Sequence, residues 1–199
     1  MKKRATAKPK PATRSAANQN TQAAHPLPEA DYGRAEKLLM QMLAIPGVSG
    51  REAPMMEFIT KQLRKAGVSQ TALEFDQAHR RSILKGDSGN LVCRLPGTIR
   101  GPRRMLSAHV DTVPLCEGVK PVRHGDLIQP ADENTALGAD DRAGAAVILN
   151  AALEILRRRL DHPPLTFLWT VQEEVGLFGA RHARLGMLGK PRLAFNFDG

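Results

Sequence analysis

The sequence predicts an α/β fold, a three-layer αβα arrangement with a mixed, mostly parallel central sheet, on three observations. Stretches with apolar residues at helical spacing alternate with short β-type runs. The run 165–171 is apolar almost throughout, which suits a strand covered on both faces. The residues able to bind metal or move protons fall where such strands end, and open α/β sheets collect their ligands there.

Taken in order, residues 1–28 carry Lys2, Lys3, Arg4, Lys8, Lys10 and Arg14 and no Asp or Glu. They are rich in Ala, Pro, Ser, Thr, Asn and Gln, and bury too little to offset their ordering entropy, so a disordered basic tail is expected ahead of a folded domain at 29–199. That tail holds most of the net charge of +9 and leaves the body mildly basic, which argues against a nucleic-acid surface. No apolar run of about seven residues follows the positive start, as a secretory signal needs, and none spans a bilayer. Two cysteines, Cys93 and Cys116, in a chain with 42% apolar residues suggest reduced thiols in the cytoplasm.

Ala35, Leu38, Leu39, Met42 and Leu43 mark a first helix, stopped by Pro46-Gly47. A second fits 52–65, with Met56, Phe58, Ile59 and Leu63 inward and Gly67 as terminator. Strands follow at 71–75, 90–95 and 105–108, the last two joined through the Gly- and Pro-rich link 96–102. Ala143, Ala146, Val147, Leu149, Leu153 and Leu156 give a long helix over 142–159, whose last turn bears Arg157, Arg158 and Arg159 as the helix dipole favours. The strand at 165–171, a short helix near 180–185 and a strand at 193–197 complete the chain. There is no internal repeat.

His109 ends one strand, and Asp111 points the same way two residues on, so it is placed to hold the imidazole nitrogen that faces away from a metal. The plain alternative is an Asp capping a turn before Pro114. Asp140 and Asp141 precede the long helix, where either serves as an N-cap; with one capping, the other is free to bridge two ions, and Asp140 is the expected bridge. Glu173 and Glu174 follow the apolar strand, where they form either a solvated loop or, beside metal, a ligand at Glu174 and a proton acceptor at Glu173 with its pKa raised by burial. Asp198 follows the last strand, though Asp-Gly is also an ordinary turn. His25, His79, His124, His162 and His182 lie in polar or loop contexts and are expected at the surface.

Together, SAHVDTVP, LGADDRAGAA, VQEEVGLFGA and FNFDG resemble the di-zinc exopeptidase family that includes peptidase T, glutamate carboxypeptidase and the aminoacylases, most of all its peptidase T-like branch. The resemblance covers about 33–199 and implies a phosphorylase/hydrolase-like zinc peptidase catalytic domain, of which 29–199 is the N-terminal portion. It implies His109, Asp140, Glu174 and Asp198 as metal ligands, Asp111 as the orienting acid and Glu173 as general base. It also implies two zinc ions, or cobalt or manganese, and hydrolysis of an amide bond in a small peptide or acylated amino acid through a water held between the ions. Full-length members carry a lid or dimerisation domain and a further metal-binding His beyond the FDG strand, so a homodimeric parent is expected. Besides an aminopeptidase or tripeptidase, the motifs allow an N-acyl amino acid deacylase or carboxypeptidase, and a truncated chain that keeps the ligands without activity. A nucleic-acid-binding protein acting through its basic tail is the reading from another class, disfavoured by scarce aromatics.

Overall fold

The computed structural model describes residues 29–198; the tail expected at 1–28 and Gly199 lie outside the described residues. Residues 1–30 and 31–199 form separate units, and of the first only the exposed Glu29 and Ala30 are described.

The second unit begins with helix α1 (Tyr32–Leu43), whose N-terminus is capped by the Asp31 carboxylate accepting the Arg34 N–H at 3.0 Å. Helix α2 (Ala53–Lys65) has a proline in its first turn and buries Met55, Met56, Ile59 and Leu63. Gly67, at φ +95°, lets the chain leave it. Only the end of the expected strand 71–75 is extended: a 3-10 turn over Gln70–Ala72 precedes β1 (Leu73–Phe75).

Strands β2 (Leu91–Leu95), β3 (Arg104–His109), β6 (Leu165–Thr170) and β7 (Leu193–Asn196) join β1 in one sheet of order β1-β2-β6-β3-β7. β3 runs parallel to both β6 and β7, while β2 is antiparallel to β6 and β1. The parallel character therefore belongs to one half of the sheet. The link 96–102 is a connection over the end of β6 and not a hairpin, since β2 and β3 do not pair.

Alternation along the strands sorts side chains between two cores. Leu91, Cys93, Leu95, Phe167, Trp169 and Ala108 pack under α1, α2 and α3 (Ala139–Arg158), and Val92, Leu168 and Met105 point to the other face. That face is covered by a 3-10 turn, Leu185–Leu188, through Met187 and Leu188. The single helix expected at 180–185 is thus two pieces, α4 (Phe178–Arg181) and this turn, because Arg184 is extended at φ −79°, ψ 90°. A hairpin the periodicity did not announce, β4 (Pro121–His124) and β5 (Leu127–Pro130), turns at Gly125 with φ +59°. His162 corrects the expectation of a surface residue: it is 8% exposed, its Nδ1 lies 2.8 Å from the Pro163 carbonyl, and its own carbonyl accepts from Thr98 and Ile99. No helix among the described residues is long and apolar enough to cross a membrane.

Candidate metal centre

Because β6 and β7 flank β3 and run parallel to it, the residues that follow all three strands emerge at one edge of the sheet. This is what brings His109, at the end of β3, beside Glu173 and Glu174 after β6 and Asp198 after β7. Asp140 arrives from another direction, at the start of α3, which packs against β3.

The His109 Nε2 lies 3.2 Å from Asp140 Oδ1, 3.9 Å from Glu173 Oε2 and 3.9 Å from Asp198 Oδ1. One donor atom each from His109, Asp140 and Glu174 fall within 4.8 Å of one another. All the acids singled out in the sequence therefore gather round one imidazole. The ring is 2% exposed, Glu173 28%, Asp198 42% and Asp140 59%, so the cluster has a buried floor and an open mouth. Among the described residues none of Asp140, Glu173, Glu174 and Asp198 pairs with a Lys or Arg.

On the other side of the ring, Nδ1 meets two acceptors, the Asp111 carbonyl at 3.1 Å and its Oδ1 at 3.4 Å, so this nitrogen carries the proton. Asp111 is fully buried and accepts three further bonds, from Ser49 Oγ (2.7 Å), Glu173 N (2.9 Å) and Glu174 N (3.2 Å). One carboxylate thereby orients the imidazole and the backbone that carries both glutamates. Ser49 reaches it because the loop after α1 bridges to the continuation of β3, Val48 against Thr112.

The two aspartates before α3 divide their work. Asp141, 1% exposed, accepts Gly144 N at 2.9 Å as a helix cap and His109 N at 3.1 Å, leaving Asp140 in the cleft. Their peptide bond is cis, and helical backbone begins only after Asp141. Beneath the cluster lies a residue whose role the sequence reading did not assign: Glu52, fully buried, whose Oε1 accepts both Gly50 N (2.8 Å) and Gln172 N (3.0 Å).

Electrostatics follow from this packing. Burial disfavours the His109 imidazolium, but the Asp111 hydrogen bond and the charges of Asp111, Asp141 and Glu173 outweigh it and raise the pKa to about 9. Burial would raise Asp111, yet its bonds from His109, Ser49 and Glu173 hold it below the usual carboxylate range. Burial pushes Asp141 and Glu52 up to about 7 against their backbone donors. Glu173 and Glu174 are also raised, by burial and, against the pull of His109, by the neighbouring acids.

His79, His124 and His182 take no part in this cluster, and His25 lies outside the described residues. His182 stacks on Phe178 with ring centroids 6.3 Å apart. Both cysteines are free and buried.

Residues 90–199 match the model of peptidase family M28. Peptidase T of Escherichia coli (strain K12) is 26% identical over 188 residues, 78% of this chain and 42% of that protein. An uncharacterised protein of Bacillus subtilis (strain 168), YqjE, is 30% identical over 142 residues, 71% of this chain and 37% of its own length. Among solved structures, a tripeptidase from Staphylococcus aureus superposes with TM-score 0.76 at 28% identity, covering 84% of this chain and 43% of that one. Aminopeptidase PepT from Bacillus cereus gives 0.75 at 27% identity, with the same coverage. The chain thus spans about two-fifths of the length of these relatives.

Proposed function

The chain belongs to peptidase family M28, and from that premise we propose that it carries the metal-dependent exopeptidase site of an enzyme that cuts an amide bond in small peptides, as an aminopeptidase or tripeptidase. The observation that supports this most directly is the crowding of four carboxylates around His109 Nε2 with no Lys or Arg to balance them among the described residues. Such a set of hard oxygens and one imidazole suits zinc, cobalt or manganese. In this reading His109, Asp140, Glu174 and Asp198 would hold two cations, with Asp140 as the carboxylate they would share. When bound, the cations polarise the scissile carbonyl and acidify a water.

The side chains do the rest. Asp111 keeps the proton on His109 Nδ1 and so leaves the Nε2 lone pair free to bind a cation. Its bonds to Glu173 N and Glu174 N fix the turn that separates the two glutamates' tasks. Glu173, with a pKa raised by partial burial, takes a proton from the attacking water and returns it to the leaving amine. The Tripeptidase and PepT likenesses favour a small peptide as substrate.

The test pairs binding with turnover. Calorimetric titration of the 199-residue chain with zinc is expected to give saturable binding that His109→Ala and Asp140→Ala abolish. Tripeptide hydrolysis is expected to need the metal, and Glu173→Gln should bind zinc like the parent while losing about 10²- to 10⁴-fold in kcat. A chain that takes up no zinc at this cluster would overturn the proposal.

A further inference from the structure

Beside the cluster, and lined in part by His109, Glu173 and Asp198, opens a cleft of about 320 Å³. Ligand sites commonly span about 300–1,000 Å³, so this one has room for a single side chain rather than a whole peptide. Its floor is Leu168 and Leu188, 6% and 8% exposed, and its rim is Leu177 and Leu185, 44% and 74% exposed. Ala180 and Met105 close the remaining wall.

Three polar groups also line it, and each is already engaged. Ser107 Oγ donates to Asn196 Oδ1 at 2.7 Å, Asn196 Nδ2 donates to Asp198 at 3.3 Å, and Thr170 Oγ1 donates to the Ala108 carbonyl at 3.4 Å. None of them calls for a polar partner. Among the described residues no Lys or Arg lines the cleft, and its charges sit at the cluster end. A charged side chain reaching past the cluster end would lose its water against leucine with nothing there to pair with. An aliphatic side chain would instead remove from water both itself and the leucines exposed at the rim.

We propose that this cleft is the specificity pocket of the site, receiving an apolar, leucine-sized side chain of the substrate residue whose carbonyl is attacked. The proposal rests on the reading of the cluster as a hydrolytic metal centre and adds to it the class of residue preferred. Continuity with Glu173 ties the cleft to that residue: a carbonyl placed at the cluster leaves its own side chain a short path onto Leu168 and Leu188.

Amino-acid hydroxamates separate the two claims without turnover, because the hydroxamate tests the cluster and the side chain tests the cleft. Binding of acetohydroxamate and of glycine, leucine and aspartate hydroxamates to the zinc-loaded 199-residue chain is measured by calorimetry. Leucine hydroxamate is expected to bind at least about tenfold tighter than the glycine and aspartate compounds. Two exposed positions outside the catalytic set, Leu185→Asp and Ala180→Phe, are expected to remove that advantage, by charge and by filling, and to leave acetohydroxamate binding unchanged. Equal affinity for leucine and glycine hydroxamates, with acetohydroxamate bound, overturns the pocket and leaves the metal centre standing. Absence of acetohydroxamate binding overturns the metal centre, and the pocket with it.

Discussion

A carboxylate sealed from solvent keeps its charge only where donors surround it, and Asp111 has Ser49 Oγ, two backbone N–H groups and the His109 ring. Replacing it with Asn keeps the shape but puts an NH₂ where one oxygen accepted. Asp111→Asn is therefore expected to lower zinc affinity by about 10- to 100-fold, measured by competition with a chelating dye, without removing a ligand. Unchanged affinity would mean that the imidazole is oriented by the Asp111 carbonyl alone. Glu52 gives a different forecast. Its carboxyl titrates near 4.5 when free and near 7 in the fold, so between those values the folded chain holds the extra proton. Stability present below about pH 4.5 is then lost as pH rises through about 7, some 3 kcal/mol in all. Glu52→Gln is expected to flatten that part of the profile; the check is the difference between the urea-denaturation curves of parent and variant, in chelator, from pH 5 to 8. A difference that stays constant with pH would show that Glu52 keeps its charge throughout.

At the level of elements, α4 is pressed against the start of the loop that bears the two glutamates. Gly179 N donates to the Val171 carbonyl at 3.0 Å, and Asn90 ties both sides of the contact, donating Nδ2 to the Gly179 carbonyl and accepting Val171 N at Oδ1. A Cβ at Gly179 would overlap the Val171 carbonyl oxygen and lie 2.6 Å from Asn90 Oδ1. Backbone cannot yield as a side-chain tip can, so Gly179→Ala is expected to cost about 1–3 kcal/mol in thermal denaturation and to weaken zinc binding by shifting 172–174. Loss of stability with zinc affinity intact would uncouple α4 from the site. The same elements mark what a reader of the sequence can and cannot see. The placing of His109, Glu173 and Asp198 at strand ends was legible because each closes a run of apolar residues, Glu173 with one residue between, and that of Asp140 because a helix pattern begins just after it. The α/β class, a mixed sheet with flanking helices, followed from the same periodicity, although α1, α2 and α3 all pack on one face. The roles of Ser49 and Glu52 were not, since Ser49 meets Asp111 across 62 residues and Glu52 meets Gln172 across 120, and no local pattern encodes such contacts. The β4–β5 hairpin escaped for another reason: its four-residue strands, Pro-Val-Arg-His and Leu-Ile-Gln-Pro, carry no alternation of apolar and polar residues.

Across the whole molecule, the cluster joins pieces that are otherwise held apart in the chain: the end of β3, the start of α3, and the loops after β6 and β7. Without a cation, four carboxylates crowd one imidazole with no Lys or Arg to balance them among the described residues, and each segment is pushed from its neighbours. A cation that binds only the folded arrangement must then stabilise all four segments together. At free zinc a hundredfold above its dissociation constant the gain is about 2.7 kcal/mol, which for a domain of this size raises Tm by about 5–10 °C. EDTA is expected to reverse the rise, and His109→Ala to remove it. The effect should weaken as pH falls, because protons compete for the ligands and His109, with a pKa of about 9 in the metal-free fold, must give one up to bind. Hydrogen exchange supplies the spatial check. Zinc bound at the shared centre slows amide exchange around 109–112, 139–145, 172–176 and 194–198 in concert, whereas zinc adsorbed at a lone carboxylate would protect one of these segments and leave the other three as they were.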